Sequence, residues 1–209
     1  MPMPRDSAAL TPDAQDISGL SDDALLLLYA RGDADAARLL TARHLGRVYG
    51  FAARLLGDRA EAEDVAQEAM LRLWRAAATW RSGEAQLSTW LYRVTVNLCT
   101  DRQRARNRRR AEALDEVAEP ADDRADTEAA LMARQRVDAL QAALATLPDR
   151  QRQAVVLRHI DGLSNPEIAA ILEVGVEAVE SLTARGKRAL TAALAGQKAA
   201  LGLQEGDLR

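Results

Sequence analysis

Residues 163–188 read LSNPEIAAILEVGVEAVESLTARGKR, two short amphipathic runs separated by Val174-Gly175-Val176 and ending in a basic cluster. Ser164 or Asn165 can cap the first run. Pro166 sits where a missing backbone N–H costs nothing, and Glu167 suits the positive end of a helix. Ile168, Ala169, Ile171 and Leu172 form its apolar face. A second helix follows from about Glu177. At ~100° per residue, Val179, Leu182, Gly186 and Leu190 point one way, while Glu177, Ser181, Ala184 and Arg188 point the other. Glu180 and Arg185 flank that outer face. Short side chains beside Arg185, Lys187 and Arg188 let a helix lie close to base edges while cations reach phosphates, the geometry of a helix-turn-helix in a DNA groove. The same pattern also fits a small helical hairpin with a solvated basic end.

Outward from this unit, composition predicts an all-α protein. The chain has 209 residues, 48% apolar, and only 3% aromatic. Ala and Leu dominate, both strong helix formers, and no run of β-branched and aromatic residues is long enough for a convincing strand. A net charge of −3 excludes a globally basic nucleic-acid binder, but the charge is unevenly placed. Six arginines and no acid fall within 102–110 (Arg102, Arg104, Arg106, Arg108, Arg109, Arg110), and 112–128 is strongly acidic around the single Arg124. Such adjacent blocks suggest a basic surface followed by an acidic tether. The N-terminal residues lack the pattern of a signal peptide, no segment is apolar enough to cross a bilayer, and the single Cys99 excludes an intramolecular disulfide. A cytoplasmic protein is the expectation.

Punctuation divides the chain. Residues 1–20 are expected to be a disordered lead. Ser21 opens a short helix, Gly32-Asp33 breaks it, and a longer one runs to Leu56, where Gly57 serves as a left-handed cap. Asp58, with Glu61 three residues on, starts a third helix reaching about Ala78. After a loop over 80–87, Ser88 caps a fourth helix that reaches the arginine block. These four helices form a first domain at 21–110. An acidic linker at 111–129, a second domain of four short helices at 130–195 and a tail at 196–209 complete the expected organisation.

Two constellations in the first domain carry chemistry. The third helix has an apolar stripe of Ala62, Val65, Ala66, Ala69, Met70 and Leu73, and its opposite face carries Asp64, Glu68, Arg75 and, among them, Leu71. A leucine framed by charges is the anatomy of a protein interface, and equally an ordinary surface leucine. All three tryptophans fall between Trp74 and Trp90. On the fourth helix Leu91, Val94 and Leu98 turn inward, while Trp90, Arg93, Asn97 and Arg104 gather on one side. Aromatic faces, an amide and arginines suit unstacked bases; the same tryptophans also serve to fill a core poor in large side chains.

DRAEAEDVAQEAMLRLWRA, the following loop with STWLYRVTVNLCTDRQR, and later LPDRQRQAVVLRHIDGLSNPEIAAIL together resemble the two conserved regions of an extracytoplasmic-function (ECF) sigma factor of the sigma-70 family. The likeness covers roughly 21–110 and 130–195, with both blocks in the family's order. It implies a sigma-2-like and a sigma-4-like helical domain joined by a flexible linker, and a subunit that binds RNA polymerase core and directs it to promoters. By motif, Asp64, Gln67, Glu68, Leu71 and Arg75 are implied to face the β′ clamp helices, and the second domain the β flap. Trp80, Arg81, Ser82, Gly83, Glu84, Trp90, Arg93, Asn97 and Arg104 are implied to capture the melted −10 strand. Glu177, Glu180, Ser181, Ala184, Arg185, Lys187 and Arg188 are implied to read the −35 element. The acidic linker is implied to thread toward the RNA path. An anti-sigma partner is implied too.

The chain departs from the family pattern at Asn165-Pro166, before the scaffold helix's glutamate, and at Glu180, where a base is common; the loop is also slightly longer than in many relatives. Glutamate accepts from cytosine N4, which points to a different −35 sequence. No cofactor, metal site or catalytic residue is expected. His44 and His159 lie outside any metal-ligand spacing, Cys99 reads as a buried thiol, and no phosphate loop or nucleophile motif occurs. Two rivals remain at this stage: a stand-alone helix-turn-helix regulator and a helical adaptor that binds only proteins.

Overall fold

The computed structural model describes residues 17–83, 86–112 and 128–195. The lead at 1–16, Glu84, most of the acidic linker (113–127) and the tail at 196–209 lie outside the described residues. Among those described there are helices and turns but no strand: α1 (Asp22–Ala30), α2 (Ala34–Leu56), α3 (Arg59–Ala76), a 3₁₀ turn (Ala77–Thr79), α4 (Leu87–Glu112), α5 (Glu128–Ala145), α6 (Asp149–Val155) running on into a π-helical turn (Val156–Ile160), α7 (Asn165–Leu172) and α8 (Val176–Ala195).

Local chemistry sets the helix ends. The Ser21 hydroxyl accepts from the Ala24 amide, and Asp58 accepts from the Glu61 amide at 3.0 Å. Gly57 closes α2 at φ 71°, where a side chain would be strained, and its amide donates to Ala53. Two expected boundaries move. The third helix gives way to the 3₁₀ turn at Ala77, and the fourth begins at Leu87, so that Ser88 lies inside the first turn and the Gln86 carbonyl receives the Trp90 amide. Leu87 is buried and lies inside the helix, one residue before the hydroxyl that was expected to cap it.

In the first domain the expected stripe of α3 (Ala62, Val65, Ala66, Ala69, Met70, Leu73) is buried throughout. Leu25, Leu26, Leu40, Val48 and Leu91 close around part of it, with Tyr29 and Trp74 in ring contact at 4.6 Å. Asp22 pins α1 to α2, taking hydrogen bonds from Arg43 at 2.8 Å and His44 Nε2 at 2.7 Å. Burial raises the Asp22 pKa, but the Arg43 and His44 interactions outweigh it and hold the carboxyl below its ordinary value. His44 is thus a buried structural histidine.

In the second domain Ser164 is the cap of α7 and forms a full capping box with Glu167, so Pro166 leaves the helix start intact. Glu173 ends α7 in the left-handed region at φ 56°, which turns the chain sharply into α8. Gly186 answers a steric demand. A Cβ there would lie 2.5 Å from Val155 Cγ2 and 3.2 Å from the Gln151 carbonyl, so α8 crosses α6 only because this residue has no side chain.

The two domains share a core. Phe51, Leu55, Tyr92, Val96 and Cys99 of the first belong to the same buried cluster as Leu144, Leu147, Val156, Leu157, Ile168, Ile171 and Leu172 of the second. Polar contacts cross the seam as well. Arg152 donates to the Leu55 carbonyl at 2.6 Å, Gln141 to the Arg54 carbonyl at 3.1 Å, and Gln153 to the Thr100 hydroxyl at 3.3 Å. Sequence reading anticipates two separate modules; the fold docks one against the other.

Replacing Gly186 with alanine is expected to lower stability. Alanine adds about 1 kcal/mol of helix propensity, but the methyl strikes a stiff, buried valine and a backbone carbonyl, an overpacking that costs about 1–3 kcal/mol. Urea unfolding should show a net loss of up to about 2 kcal/mol, whereas a gain would contradict the close crossing.

Candidate nucleic-acid and partner interfaces

The outer face of α3 holds the first set of candidate residues. Leu71 is 48% exposed and Gln67 is exposed beside it. Glu68 bonds Arg72 at 2.9 Å with Arg75 at 3.8 Å, and the Arg72 hydrogen bond holds its carboxyl below the usual value. Asp64 pairs with Arg102 of α4 at 3.2 Å. The result is an apolar tip in a ring of charges, the layout of an anchor with a polar rim. Beside it lies a shallow, largely apolar hollow of about 360 Å³ between α2 and α3, lined by Leu45, Gly46, Tyr49, Glu63, Ala66 and Gln67. Sequence reading misses this hollow, because it depends on how α2 and α3 pack, which leaves Leu45 37% exposed.

The second set lies on the loop and α4. Trp80 and Trp90 meet edge to face at 5.9 Å, and Trp80 Nε1 donates to Asp23 Oδ1 at 3.0 Å. Both indoles are half-buried against the first core, so their packing role and any stacking role coexist. Arg81, Ser82 and Gly83 are exposed on a turn that Gly83 makes at φ 89°. Arg93 points to the second domain: Nη2 donates to the Ala170 carbonyl at 2.8 Å, and Nη1 lies 3.5 Å from Glu173. Asn97 and Arg104 are exposed but line a cleft of about 540 Å³ whose far wall is Asp149, Arg150 and Gln153. Of the four α4 positions, Arg93, Asn97 and Arg104 thus face the helix-turn-helix domain, while Trp90 packs on the core of the first.

The third set is on α8. Val179 and Gly186 are buried, while Glu177, Glu180, Ser181, Ala184, Arg185, Lys187 and Arg188 are all exposed. Arg185 folds back on its own helix, donating from Nη2 to Ser181 Oγ at 2.7 Å and from Nε to the Ser181 carbonyl at 3.2 Å. Arg158 and His159, at the π-helical end of α6, border a hollow of about 300 Å³ with Asn165, Glu180, Thr183, Ala184 and Lys187. Partial burial and the nearby Lys187 and Arg158 hold His159 below its ordinary pKa, so at neutral pH it is an uncharged donor or acceptor between two cations. These two residues are not visible as neighbours of α8 in sequence, because only the antiparallel return of the chain brings them together.

Cys99 is fully buried, and burial pushes its thiol up to about 12, which makes it unreactive. Among the described residues no group of three or more His, Cys, Asp or Glu side chains is placed to hold a metal ion, and no helix is long and apolar enough to cross a membrane.

Comparison with known proteins matches this layout. The Sigma-70 region 2 model matches residues 40–109, and the Sigma-70, region 4 model residues 138–190. The ECF RNA polymerase sigma factor SigE of Mycolicibacterium smegmatis is 41% identical over 153 residues, covering 72% of this chain; the chain spans 58% of that protein's length. The RNA polymerase sigma-H factor of Pseudomonas aeruginosa is 33% identical over 182 residues, covering 83% of this chain and 93% of that protein. Among solved structures, CnrH in complex with the cytosolic domain of CnrY superposes with a TM-score of 0.63 at 29% identity, covering 84% of this chain and 97% of that one. The sigma factor RpoE of Bartonella quintana, in complex with the anti-sigma factor NepR, shares the fold at a TM-score of 0.59 and 22% identity, covering 74% of this chain and 94% of that one. With both conserved regions present in order, and with the ECF RNA polymerase sigma factor SigW of Bacillus subtilis 32% identical over 168 residues that cover 77% of this chain and 89% of that protein, the chain belongs to the ECF group of RNA polymerase sigma factors.

Proposed function

We propose that this chain is a promoter-specificity subunit that binds RNA polymerase core and directs initiation at alternative, stress-responsive promoters in the cytoplasm. One observation carries the reading. An exposed leucine anchor on α3 and an exposed, short-side-chain face on α8 stand on different domains of the same chain, as a subunit must have them to hold polymerase and DNA together. A stand-alone regulator has no use for the first, and a protein adaptor none for the second.

In this reading Asp64, Gln67, Glu68, Leu71 and Arg75 dock on the β′ clamp helices, with Leu71 entering an apolar socket and the Glu68–Arg72–Arg75 cluster excluding water around it. Sigma-4 rests on the β flap. On α8, Ser181 and Ala184 allow close approach to base edges, Glu180 accepts from cytosine N4, Arg185 unfolds from Ser181 to reach a base or phosphate, and Glu177, Lys187 and Arg188 flank the groove. Arg158 and His159 extend this basic rim.

At the −10 element Trp80, Arg81, Ser82, Gly83, Glu84, Trp90, Arg93, Asn97 and Arg104 hold the unpaired strand. Unstacking a base costs a few kcal/mol, which stacking and hydrogen bonds to the exposed edge offset. The chain makes and breaks no covalent bond in this role; it is a regulatory subunit, and polymerase supplies the chemistry. We also propose an anti-sigma partner, as in the complex of RpoE with NepR.

In-vitro transcription with purified core polymerase tests the reading: start sites should map to a restricted set of promoters only when the chain is added. Initiation indistinguishable from core alone, or DNA footprints given by the chain without polymerase, would contradict it. Leu71→Asp should weaken core pull-down at least tenfold, on the order of 1.4 kcal/mol or more, with unchanged helical content. Asn97→Ala should bind core normally yet show reduced permanganate reactivity of melted thymines.

A further inference from the structure

The π-helical turn that ends α6 sets an imidazole at the rim of the α8 surface. His159 is exposed there, beside an Arg158 braced by donation from Nη1 to the Leu163 carbonyl at 2.9 Å. Together with Asn165 of α7 and Glu180, Thr183 and Lys187 of α8, they border the hollow of about 300 Å³. Because Glu180, Ala184 and Lys187 line it, the hollow opens on the side of α8 assigned to the −35 element.

Its charges are unbalanced. Arg158 and Lys187 contribute two cations against one lining carboxylate, Glu180, which the −35 reading turns toward a cytosine. The carboxylates on neighbouring elements serve other partners. Glu167, in the first turn of α7, accepts from the Ser164 amide at 2.7 Å and its hydroxyl at 2.6 Å. Asp161, two residues beyond His159, lies 3.7 Å from Arg54 of α2. Partial burial and the two flanking cations therefore keep His159 uncharged at neutral pH in the free chain. One acceptor is left over: Asn165 Oδ1 is buried without a hydrogen-bond partner. A neutral imidazole has a single N–H, whereas the imidazolium has two, enough to serve a phosphate oxygen and a neighbouring amide oxygen together.

We propose that His159 takes up a proton when the −35 duplex places a backbone phosphate in this hollow, so that promoter binding by this chain tightens on acidification. This rests on the assignment of α8 to the −35 element. The phosphate brings the negative charge that the hollow lacks, and the imidazolium becomes a third cation on a common anion instead of one more repelling its neighbours. Protonation is then favoured in the complex and disfavoured in the free chain. The extra affinity is complete below the pKa of His159 in the free chain and is lost as pH rises through its higher pKa in the complex. An added cation on the backbone also releases about one more counterion, so the salt dependence of binding steepens in the same pH window.

His159 is exposed, so its replacement leaves the core intact. Holoenzyme reconstituted from the full chain and core polymerase is titrated, by fluorescence anisotropy, with a labelled promoter duplex from a mapped start site. Dividing the wild-type affinity by that of His159→Gln at each pH cancels the titration of polymerase itself. This ratio should be about threefold or more at about pH 6 and fall to about one at about pH 8. His159→Lys, a cation at every pH, should keep its advantage over His159→Gln throughout. In nuclear magnetic resonance of the free chain, with His159→Gln identifying the signal, His159 should titrate below the ordinary imidazole value. A ratio that does not change with pH, a His159→Lys no tighter than His159→Gln, or a free-chain midpoint at or above the ordinary value overturns the proposal. Wild-type holoenzyme that binds the duplex at no pH would instead remove the functional reading on which it rests.

Discussion

A single helix, α4, has to satisfy three neighbours at once. Leu91 completes the core of the first domain, Tyr92, Val96 and Cys99 enter the cluster that continues into the second, and Trp90, Arg93, Asn97 and Arg104 carry the chemistry assigned to unpaired DNA. Its period supplies each face with a residue every three or four positions, so no face can move without the others. The 26-residue length has the same origin: only its first half is packed in the cores, and the arginine-rich end, with Arg108 and Arg109 exposed, runs out past them.

Charge is arranged by location more than by total. A chain of net charge −3 can still approach DNA because its cations are grouped at the end of α4 and on α8, while many acids are confined to the connecting segment. Within each group the exposed arginines are partly engaged. Arg102 takes Asp64, Arg93 takes the end of α7, and Arg185 takes Ser181. Each is a solvent-exposed or half-exposed contact of modest strength, so exchange for a phosphate or base costs little. The anchor face on α3 follows the opposite logic: Leu71 is left bare, and the Glu68 cluster next to it is satisfied internally, so docking there need not strip water from an unpaired charge.

Local rules made most of the fold legible in the sequence. Gly57, Asp58, Ser164 with Glu167, and the Val174-Gly175-Val176 break all mark helix ends where the structure has them, because caps depend on a few adjacent residues. The buried stripe of α3 and the outward face of α8 follow from period alone. The Leu87 start was less visible, since burial of that side chain depends on a distant core. Docking of the two domains was not legible at all: nothing local says that Tyr92, Val96 and Cys99 share a buried cluster with Ile168 and Ile171. Arg158 and His159 join the α8 surface for the same long-range reason. Trp80 and Trp90 are packed on the first core yet half-exposed, and the bond from Trp80 to Asp23, 57 residues away, is a packing contact that no local pattern announces.

The account turns on α4 holding the cores of both domains together, and Tyr92 reports that docking most directly, being 7% exposed at the seam. Hydroxyl-radical footprinting of the full chain, native and unfolded in urea, measures its access to solvent. A Tyr92 protected in the native chain and oxidised once unfolded is the expected result. A Tyr92 that reacts as readily in the native chain as in the unfolded one would contradict the shared core.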